Sequence, residues 1–394
     1  MIIFIKTLGC RANRYESEKL ANNLADSGHE IVSEPDNADV VIVNTCTVTH
    51  TADRKSRQEI YPWTEKKVIV FGCGPRVNPE QFDADLVAKE PSEVLEYLGK
   101  GSGGKIHDVF LTRSNLKIQD GCENFCTYCI IPFARGKCSS KPFSEVMTEA
   151  RALNAKEIVL TGINIGNWND SGMDFWDLMK VMLDKLDARI RISSIEPFIF
   201  NKNIKEVLTH PQFCKHLHIC LQSGSKGVLK RMGRKYELDD FENLIKKIRE
   251  IVPDIAITTD LIVGFPGETD AQHEESLQFL ERVGFAKVHV FKYSRREGTP
   301  AAKVDEQVPY SVKVQRSREA RELAEKMRQE YMTGFVGMTR EVLFEHEKNG
   351  VWIGTTDNYL QVEMKSKRNL KNCLICVRLG KIKTNGRFKG RVVS

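Results

Sequence analysis

From Ile2 to Tyr293 the chain keeps repeating one pattern, a short apolar run rich in Val and Ile followed by a helical stretch or by turn residues. Strands separated by helices pair in parallel, because a parallel partner is reached only through a long crossover. All-helical and all-antiparallel architectures are thereby excluded over this stretch. The first block has apolar runs at Ile2–Lys6, Val40–Asn44 and Lys67–Phe71. Its clearest helix is Tyr15–Ser27, with Leu20, Ala21, Leu24 and Ala25 on one face and Gly28 as its stop. We read residues 1–97 as a small open α/β domain with a mostly parallel sheet, and Leu98–Ile106 as a linker. The second block repeats strand-then-helix six times. Its strands are Leu116–Gln119, Glu157–Thr161, Arg189–Ile195, His216–Leu221, Ala256–Val263 and Ala286–Tyr293. Helices at Phe143–Ala155, Asp174–Leu186, Asp239–Val252 and Ala271–Val283 lie between them. Such units close toward a barrel, and six leave it partial, a (βα)6 form open enough to admit a large substrate at the mouth where the strands end. With a charged bridging helix at 311–331, this block takes residues 108–331.

From Thr333 onward the pattern changes to short strands with Gly and Asn turns: Val342–Phe344, Trp352–Gly354, Leu360–Met364 and Leu374–Gly380. Residues 332–394 read as a small C-terminal β-barrel of the kind that binds RNA. Charge points the same way. The chain carries +6, but the last 63 residues hold 12 Lys/Arg against 5 Asp/Glu, which leaves the rest near −1. Between Lys365 and Ser394 there are ten basic residues and no acidic one. A tail so polarised suggests a polyanionic partner, most simply nucleic acid; the alternative is a solvated basic face. Hydrophobic residues make up 41% and charged residues 28%, which argues against disorder. The apolar opening Met1–Ile5 ends at Lys6, too short for a signal peptide or a membrane span. Eleven cysteines without an export signal fit a reducing cytosol, as ligands or core thiols rather than disulfides.

Two groups of cysteines have an address. Cys122, Cys126 and Cys129 form a C-x3-C-x2-C run after the first barrel strand, at the barrel mouth. Three thiolates hold three irons of a four-iron cube and leave the fourth open, unlike the four-cysteine sites of electron carriers. The alternative is zinc, with Cys138 as a fourth thiolate. Cys10, Cys46 and Cys73 each follow one of the three apolar runs of the first block. The crevice beyond the carboxyl ends of a parallel sheet is where ligands bind, so three thiols distant in sequence converge on one rim. Gly9, Gly72 and Gly74 beside them allow close backbone approach. The functional reading is a second three-thiolate cluster; the alternative is three unrelated buried thiols. Cys214, Cys220, Cys373 and Cys376 read as core thiols.

These motifs resemble the methylthiotransferase family of radical S-adenosylmethionine (SAM) enzymes, closest to the branch acting on N6-threonylcarbamoyladenosine in tRNA. The resemblance rests on Thr7–Ser17 (TLGCRANRYES), on Gln119–Pro132 with Ala134-Arg135-Gly136, and on Thr161–Gly166 (TGINIG). Arg191–Pro197 (RISSIEP) and Thr259–Thr269 (TDLIVGFPGET) complete it. The tail resembles a TRAM module by position, length and charge. Leu221–Ser225 (LQSGS) is similar to the family, but Cys220 stands where proline is usual, and Cys138 lies in a stretch more often rich in Arg and Ser.

The resemblance implies a transferase that converts N6-threonylcarbamoyladenosine at tRNA position 37 to its 2-methylthio derivative. A ribosomal-protein aspartate and isopentenyladenosine in tRNA are the alternative substrates. It implies two [4Fe-4S] clusters, on Cys122, Cys126 and Cys129 and on Cys10, Cys46 and Cys73, with SAM as radical source and methyl donor. Tyr128, Gly162, Asn164, Glu196, Gln222, Asp260, Gly264 and Glu268 are the expected cofactor-binding or substrate-side residues, because they fall beside the cluster or at strand ends facing the mouth. Arg135 and the Arg295-Arg296 pair are expected to grip tRNA phosphates. An external electron donor, a monomeric state, a cytoplasmic location and no membrane complete the expectation. Removal of residues 332–394 is expected to weaken tRNA binding and spare SAM cleavage.

Overall fold

The computed structural model describes residues 1–63, 65–101, 105–106, 112–200 and 204–393. The chain divides into two compact units. One comprises Met1–Phe110, Gln119–Ser139 and Ser294–Lys303; the other comprises Leu111–Ile118, Ser140–Tyr293 and Val304–Ser394. Among the described residues no helix is long and apolar enough to cross a membrane.

The first unit is built on six parallel strands: β1 (Ile2–Thr7), β2 (Glu30–Val32), β3 (Val40–Thr45), β4 (Lys67–Gly72), β5 (Leu86–Val87) and β6 (Lys105–Ile106). Their order is β5-β4-β3-β1-β2-β6. β3 is buried at every position and pairs with β1 on one side and β4 on the other. Its side chains alternate: Val40 and Ile42 join Leu20, Ala21 and Leu24 of helix α1 (Arg11–Asp26), while Val41 and Val43 pack with Val68, Val70 and Phe82 on the other face. Three apolar runs were legible as strands, but β2, β5 and β6 were not. With two or three residues each, they carry no periodicity to read. Within the expected linker, Lys105–Ile106 pairs beside β2 and adds a strand to the sheet; Ser102–Gly104 lies outside the described residues. Helix α1 starts four residues earlier than Tyr15, with Cys10 at its N-cap.

In the second unit the six expected strands are present and parallel. They are β7 (Arg113–Lys117), β8 (Glu157–Thr161), a third strand split at Ser193 into β9 (Arg189–Ile192) and β10 (Ser194–Ile195), β11 (His216–Ile219), β12 (Ala256–Val263) and β13 (Lys287–Lys292). One sheet has the order β9-β8-β7 and the other β10-β11-β12-β13, so neighbours in sequence are neighbours in space. Among the described residues no pairing joins β7 to β13, which is the partial barrel expected.

The C-terminal segment is a closed barrel in the order β14-β15-β16-β18-β17. These strands are β14 (Thr339–Lys348), β15 (Val351–Thr356), β16 (Gln361–Lys365), β17 (Leu374–Ile382) and β18 (Phe388–Val392). Four overlap the expected strands; β18 was not foreseen, because Phe388 is one of few apolar residues in a basic run. Phe388 nonetheless joins Val342, Phe344, Trp352, Val362, Val377 and Leu379 in the barrel core. Cys373 is half-buried and Cys376 exposed, so neither is a core thiol, whereas Cys214 and Cys220 are buried.

This barrel is fastened to the first residues of β7, β8 and β9. Glu157 is fully buried there. Its carboxylate accepts from Arg191 Nε (2.7 Å) and from Arg189 Nη2 (2.7 Å). The same guanidiniums donate onward to backbone carbonyls at the end of β15 and in the turn after it: Arg191 to Thr356 (3.0 Å) and Asp357 (3.0 Å), Arg189 to Thr355 (3.3 Å). Tyr359 from this turn stacks on His216, ring centroids 4.5 Å apart. The mouth of such a barrel is at the strand C-termini, so the C-terminal module is attached at the opposite end. Burial alone would push the Glu157 pKa up; Arg191, then Arg189 and Arg113, outweigh it and hold the carboxyl at about 2 against an ordinary 4.5. A depressed carboxylate stabilises the fold fully above its ordinary pKa and loses that contribution as pH falls toward the native one. Glu157→Gln is expected to cost about 3–5 kcal/mol at neutral pH, since it strands buried guanidiniums. In denaturant titrations the gap between parent and variant should narrow as pH drops below about 4; a gap that stays constant with pH contradicts the assignment.

Candidate functional site

All six expected ligand cysteines fall in the first unit. Cys10 follows β1, Cys46 follows β3 and Cys73 opens the short helix Cys73–Val77 directly after β4. The sheet places these strands side by side in the order β4-β3-β1, so the three thiols share one rim. Gly9 has φ +97°, and a Cβ there would stand 2.8 Å from Cys46 Cβ and 3.1 Å from Cys46 Sγ. Only glycine lets the two turns close on each other at this point.

The organiser of the rim is Asn13, buried in the first turn of α1. Its Nδ2 donates to Leu8 O (2.9 Å), Thr45 O (2.8 Å) and Asn44 Oδ1 (3.2 Å), which ties together the ends of β1 and β3. Its Oδ1 accepts from the Cys10 thiol at 3.4 Å and lies 3.9 Å from Cys73 Sγ. Sequence reading missed Asn13. The available signal was an amide three residues after Cys10, one helical turn on and facing the same way.

The second triplet sits on a loop that closes on itself. Cys122 N–H donates to Gly136 O (3.1 Å) and Cys129 N–H to Cys126 O (3.0 Å). Gly121, at φ +69°, has no room for a Cβ because the Lys137 carbonyl lies against it. Cys122, Cys126 and Cys129 are half-buried, as is Tyr128 between the last two. A short helix, Ile131–Arg135, follows and carries Arg135 back to the first triplet. Arg135 is buried. It donates to Glu16 Oε1 (2.5 Å) and Oε2 (3.1 Å), to Asn13 Oδ1 (2.8 Å) and to Asp120 Oδ1 (3.2 Å). Burial alone would discourage its charge, but Glu16, with Cys73 and Asp120, holds it more firmly protonated than usual. Arg135 is therefore a joint between the cysteine-bearing segments, which corrects its reading as a phosphate grip. Arg296 is corrected likewise: it is buried and pairs with Asp53 Oδ2 (2.6 Å) and Thr47 Oγ1 (2.9 Å).

These donor sets suit an iron–sulfur cluster. None of the six cysteines is in a disulfide. Burial pushes the Cys46 thiol up to about 11 and the Cys73 thiol up as well, and neighbouring thiols add to both. Cys46 and Cys73 are buried, and a bound cationic group such as cluster iron is what holds buried thiols ionised.

The other expected residues lie in the second unit, at or near strand C-terminal ends. Gly162 and Asn164 follow β8. Glu196 follows β10 and forms an ion pair with buried Arg234. Gln222, at φ +69°, extends the sheet by backbone bonds to Asp260 O and from Ile262 N–H (both 2.9 Å). Asp260 lies within β12, 3.3 Å from His218 Nε2. The Gly264 N–H donates to Glu268, whose buried carboxylate also takes Arg316 Nη1 (2.8 Å). The structure thus commits Glu268 to bracing its own turn against the helix Tyr310–Thr333. Replacing Arg135 with Ala takes the guanidinium away from the buried Glu16 carboxylate, at an expected cost of about 3–5 kcal/mol in chemical denaturation; a loss under about 1 kcal/mol would mean that the joint is solvated.

Comparison with known proteins gives this geometry a context. A family model described as the Radical SAM superfamily matches residues 116–280, and one described as Uncharacterized protein family UPF0004 matches residues 2–91. The chain is 38% identical to the threonylcarbamoyladenosine tRNA methylthiotransferase MtaB of Thermotoga maritima, over 92% of this chain and 91% of that one. It is 35% identical to the protein of the same name from Bacillus subtilis, over 95% and 92%. To a tRNA-2-methylthio-N(6)-dimethylallyladenosine synthase of Geobacillus thermodenitrificans it is 32% identical, over 97% and 82%. A solved structure of the radical SAM methyltransferase TsrM from Kitasatospora setae, with cobalamin and a [4Fe-4S] cluster bound, matches with a TM-score of 0.58. It covers 76% of this chain and 77% of its own at 14% identity, a likeness of fold alone.

Proposed function

This chain belongs to the methylthiotransferase family of radical SAM enzymes, and we propose that it converts N6-threonylcarbamoyladenosine at position 37 of tRNA to its 2-methylthio derivative. The observation that carries the reading is the location of two cysteine triplets in one compact unit of a chain related nearly end to end to threonylcarbamoyladenosine enzymes. Dimethylallyladenosine, at 32% identity, and a ribosomal-protein aspartate are the weaker substrate readings.

SAM and an iron–sulfur cluster are the cofactors of the family. Cys122, Cys126 and Cys129 hold that cluster, and Cys10, Cys46 and Cys73 hold a second. Together with SAM these groups supply the one-electron and sulfur chemistry that an unactivated C–H bond requires and acid–base side chains do not provide. The protein's part is to place and insulate them. Asn13 and Arg135 fix the rim against the loop. Tyr128 shields the loop between Cys126 and Cys129. Gly162, Asn164, Gln222 and Gly264 offer backbone and amide groups at the barrel mouth for SAM or the nucleoside. The domains are 1–97 for the second cluster, 108–331 for SAM and 332–394 for RNA. The enzyme works as a cytoplasmic monomer with an external electron donor.

The exposed basic residues of the C-terminal barrel, among them Lys381, Lys389 and Arg391, supply phosphate contacts to tRNA. Alanine at all three is expected to weaken tRNA binding and to lower the slope of log affinity against log salt by about 0.7–0.9 for each phosphate no longer neutralised; an unchanged slope removes this role. Cys126→Ala should abolish SAM cleavage, and Cys46→Ala should spare cleavage while stopping product formation. Mass spectrometry of tRNA nucleosides tests the substrate. Deleting the gene should cause threonylcarbamoyladenosine to accumulate without its methylthio form, and an unaltered profile rejects this substrate.

A further inference from the structure

His218, Cys220 and Asp260 form a donor cluster that the proposed reaction does not use as a unit. One atom from each, an imidazole nitrogen, a thiol sulfur and a carboxylate oxygen, lies within 4.8 Å of the other two. His218 and Cys220 are buried, and the Asp260 side chain is 25% exposed. The sheet creates this meeting. His218 and Cys220 are two residues apart on one strand line and so share a face, and parallel register sets His218 opposite Thr258, two residues before Asp260.

We propose that these three side chains are a site for one divalent cation of borderline softness, Zn2+ being the best match, with a fourth position left open toward the barrel interior. Nitrogen, sulfur and oxygen donors together suit zinc and disfavour magnesium or calcium, which take oxygen alone. The supporting shell is present. His218 Nδ1 is 3.0 Å from Thr258 Oγ1, which leaves Nε2 facing Asp260 at 3.3 Å, and a metal-binding imidazole is normally fixed through its other nitrogen in this way. Thr258 Oγ1 is held in turn by His216 Nε2 at 3.0 Å. The backbone of Cys220 is pinned on both sides: its N–H donates to Ile195 O (3.1 Å), and its carbonyl accepts from the Tyr236 hydroxyl (3.1 Å). His289 faces Asp260 across the next strand pair, its ring centroid 5.7 Å from that of His218. The thiol is a particular feature of this chain, since it occupies a position where the resemblance leads one to expect proline.

The test uses the full chain, loaded anaerobically with iron and sulfide, then equilibrated with zinc chloride in slight excess and desalted. Metal analysis should find close to one zinc per chain in the parent and about tenfold weaker retention or less in Cys220→Ala, with iron unchanged. Cys220→Ser, which keeps the backbone N–H that donates to Ile195 O, should lose zinc likewise and covers the case in which the alanine variant fails to fold. Cobalt in place of zinc should give a thiolate-to-metal charge-transfer band in the parent and none in either variant. A parent that retains no zinc, equal zinc in parent and variants, or a cobalt–thiolate band that survives loss of Cys220 overturns the proposal.

Discussion

A single buried guanidinium, that of Arg135, sets the geometry of the first unit. It reaches Glu16 and Asn13 on the helix that follows Cys10, and Asp120 on the segment that precedes Cys122. A charge taken out of water is costly, and it is tolerated only where several well-aligned partners replace the lost hydration. Such an arrangement is sensitive to small displacements. Moving the cysteine loop away from the sheet rim would break bidentate, charge-assisted bonds inside the protein. The consequence for function is that two segments more than a hundred residues apart in sequence are held together without any disulfide.

The second unit uses the same physics for another purpose. Glu157 gathers Arg189 and Arg191, and both pass their remaining donors to the turn of the C-terminal barrel. That barrel is thereby part of the floor of the SAM-binding fold as well as a basic surface. Cutting the chain at residue 332 would remove the carbonyls of Thr355, Thr356 and Asp357 and leave the two arginines buried without them. The simple expectation that truncation spares SAM cleavage does not survive this attachment. Surface charge removal separates RNA binding from barrel integrity, and truncation does not.

Much of this was legible in the sequence. The three long apolar runs of the first block identify β1, β3 and β4, and a cysteine within three residues after each is enough to place all three thiols at one rim. The six-fold strand-then-helix pattern likewise gives the partial barrel. Short strands such as Glu30–Val32 and Leu86–Val87 escape because two or three residues show no alternation. Arg135 and Arg296 were misread for a deeper reason. Local sequence does not distinguish an arginine that faces solvent from one whose carboxylate partner, Glu16 or Asp53, arrives from another segment of the chain. Glu268 was legible as a strand-end carboxylate, but its engagement by Arg316, 48 residues later, was not.

The central claim is that each cysteine triplet holds its own iron–sulfur cube within one unit. Iron and sulfide analysis with Mössbauer spectroscopy on anaerobically reconstituted protein tests it most directly. The account predicts about eight irons per chain in two [4Fe-4S] centres, falling to about four when Cys10, Cys46 and Cys73 are replaced by alanine. A parent chain that saturates at about four irons, or a triple variant that still takes up about eight, would contradict it.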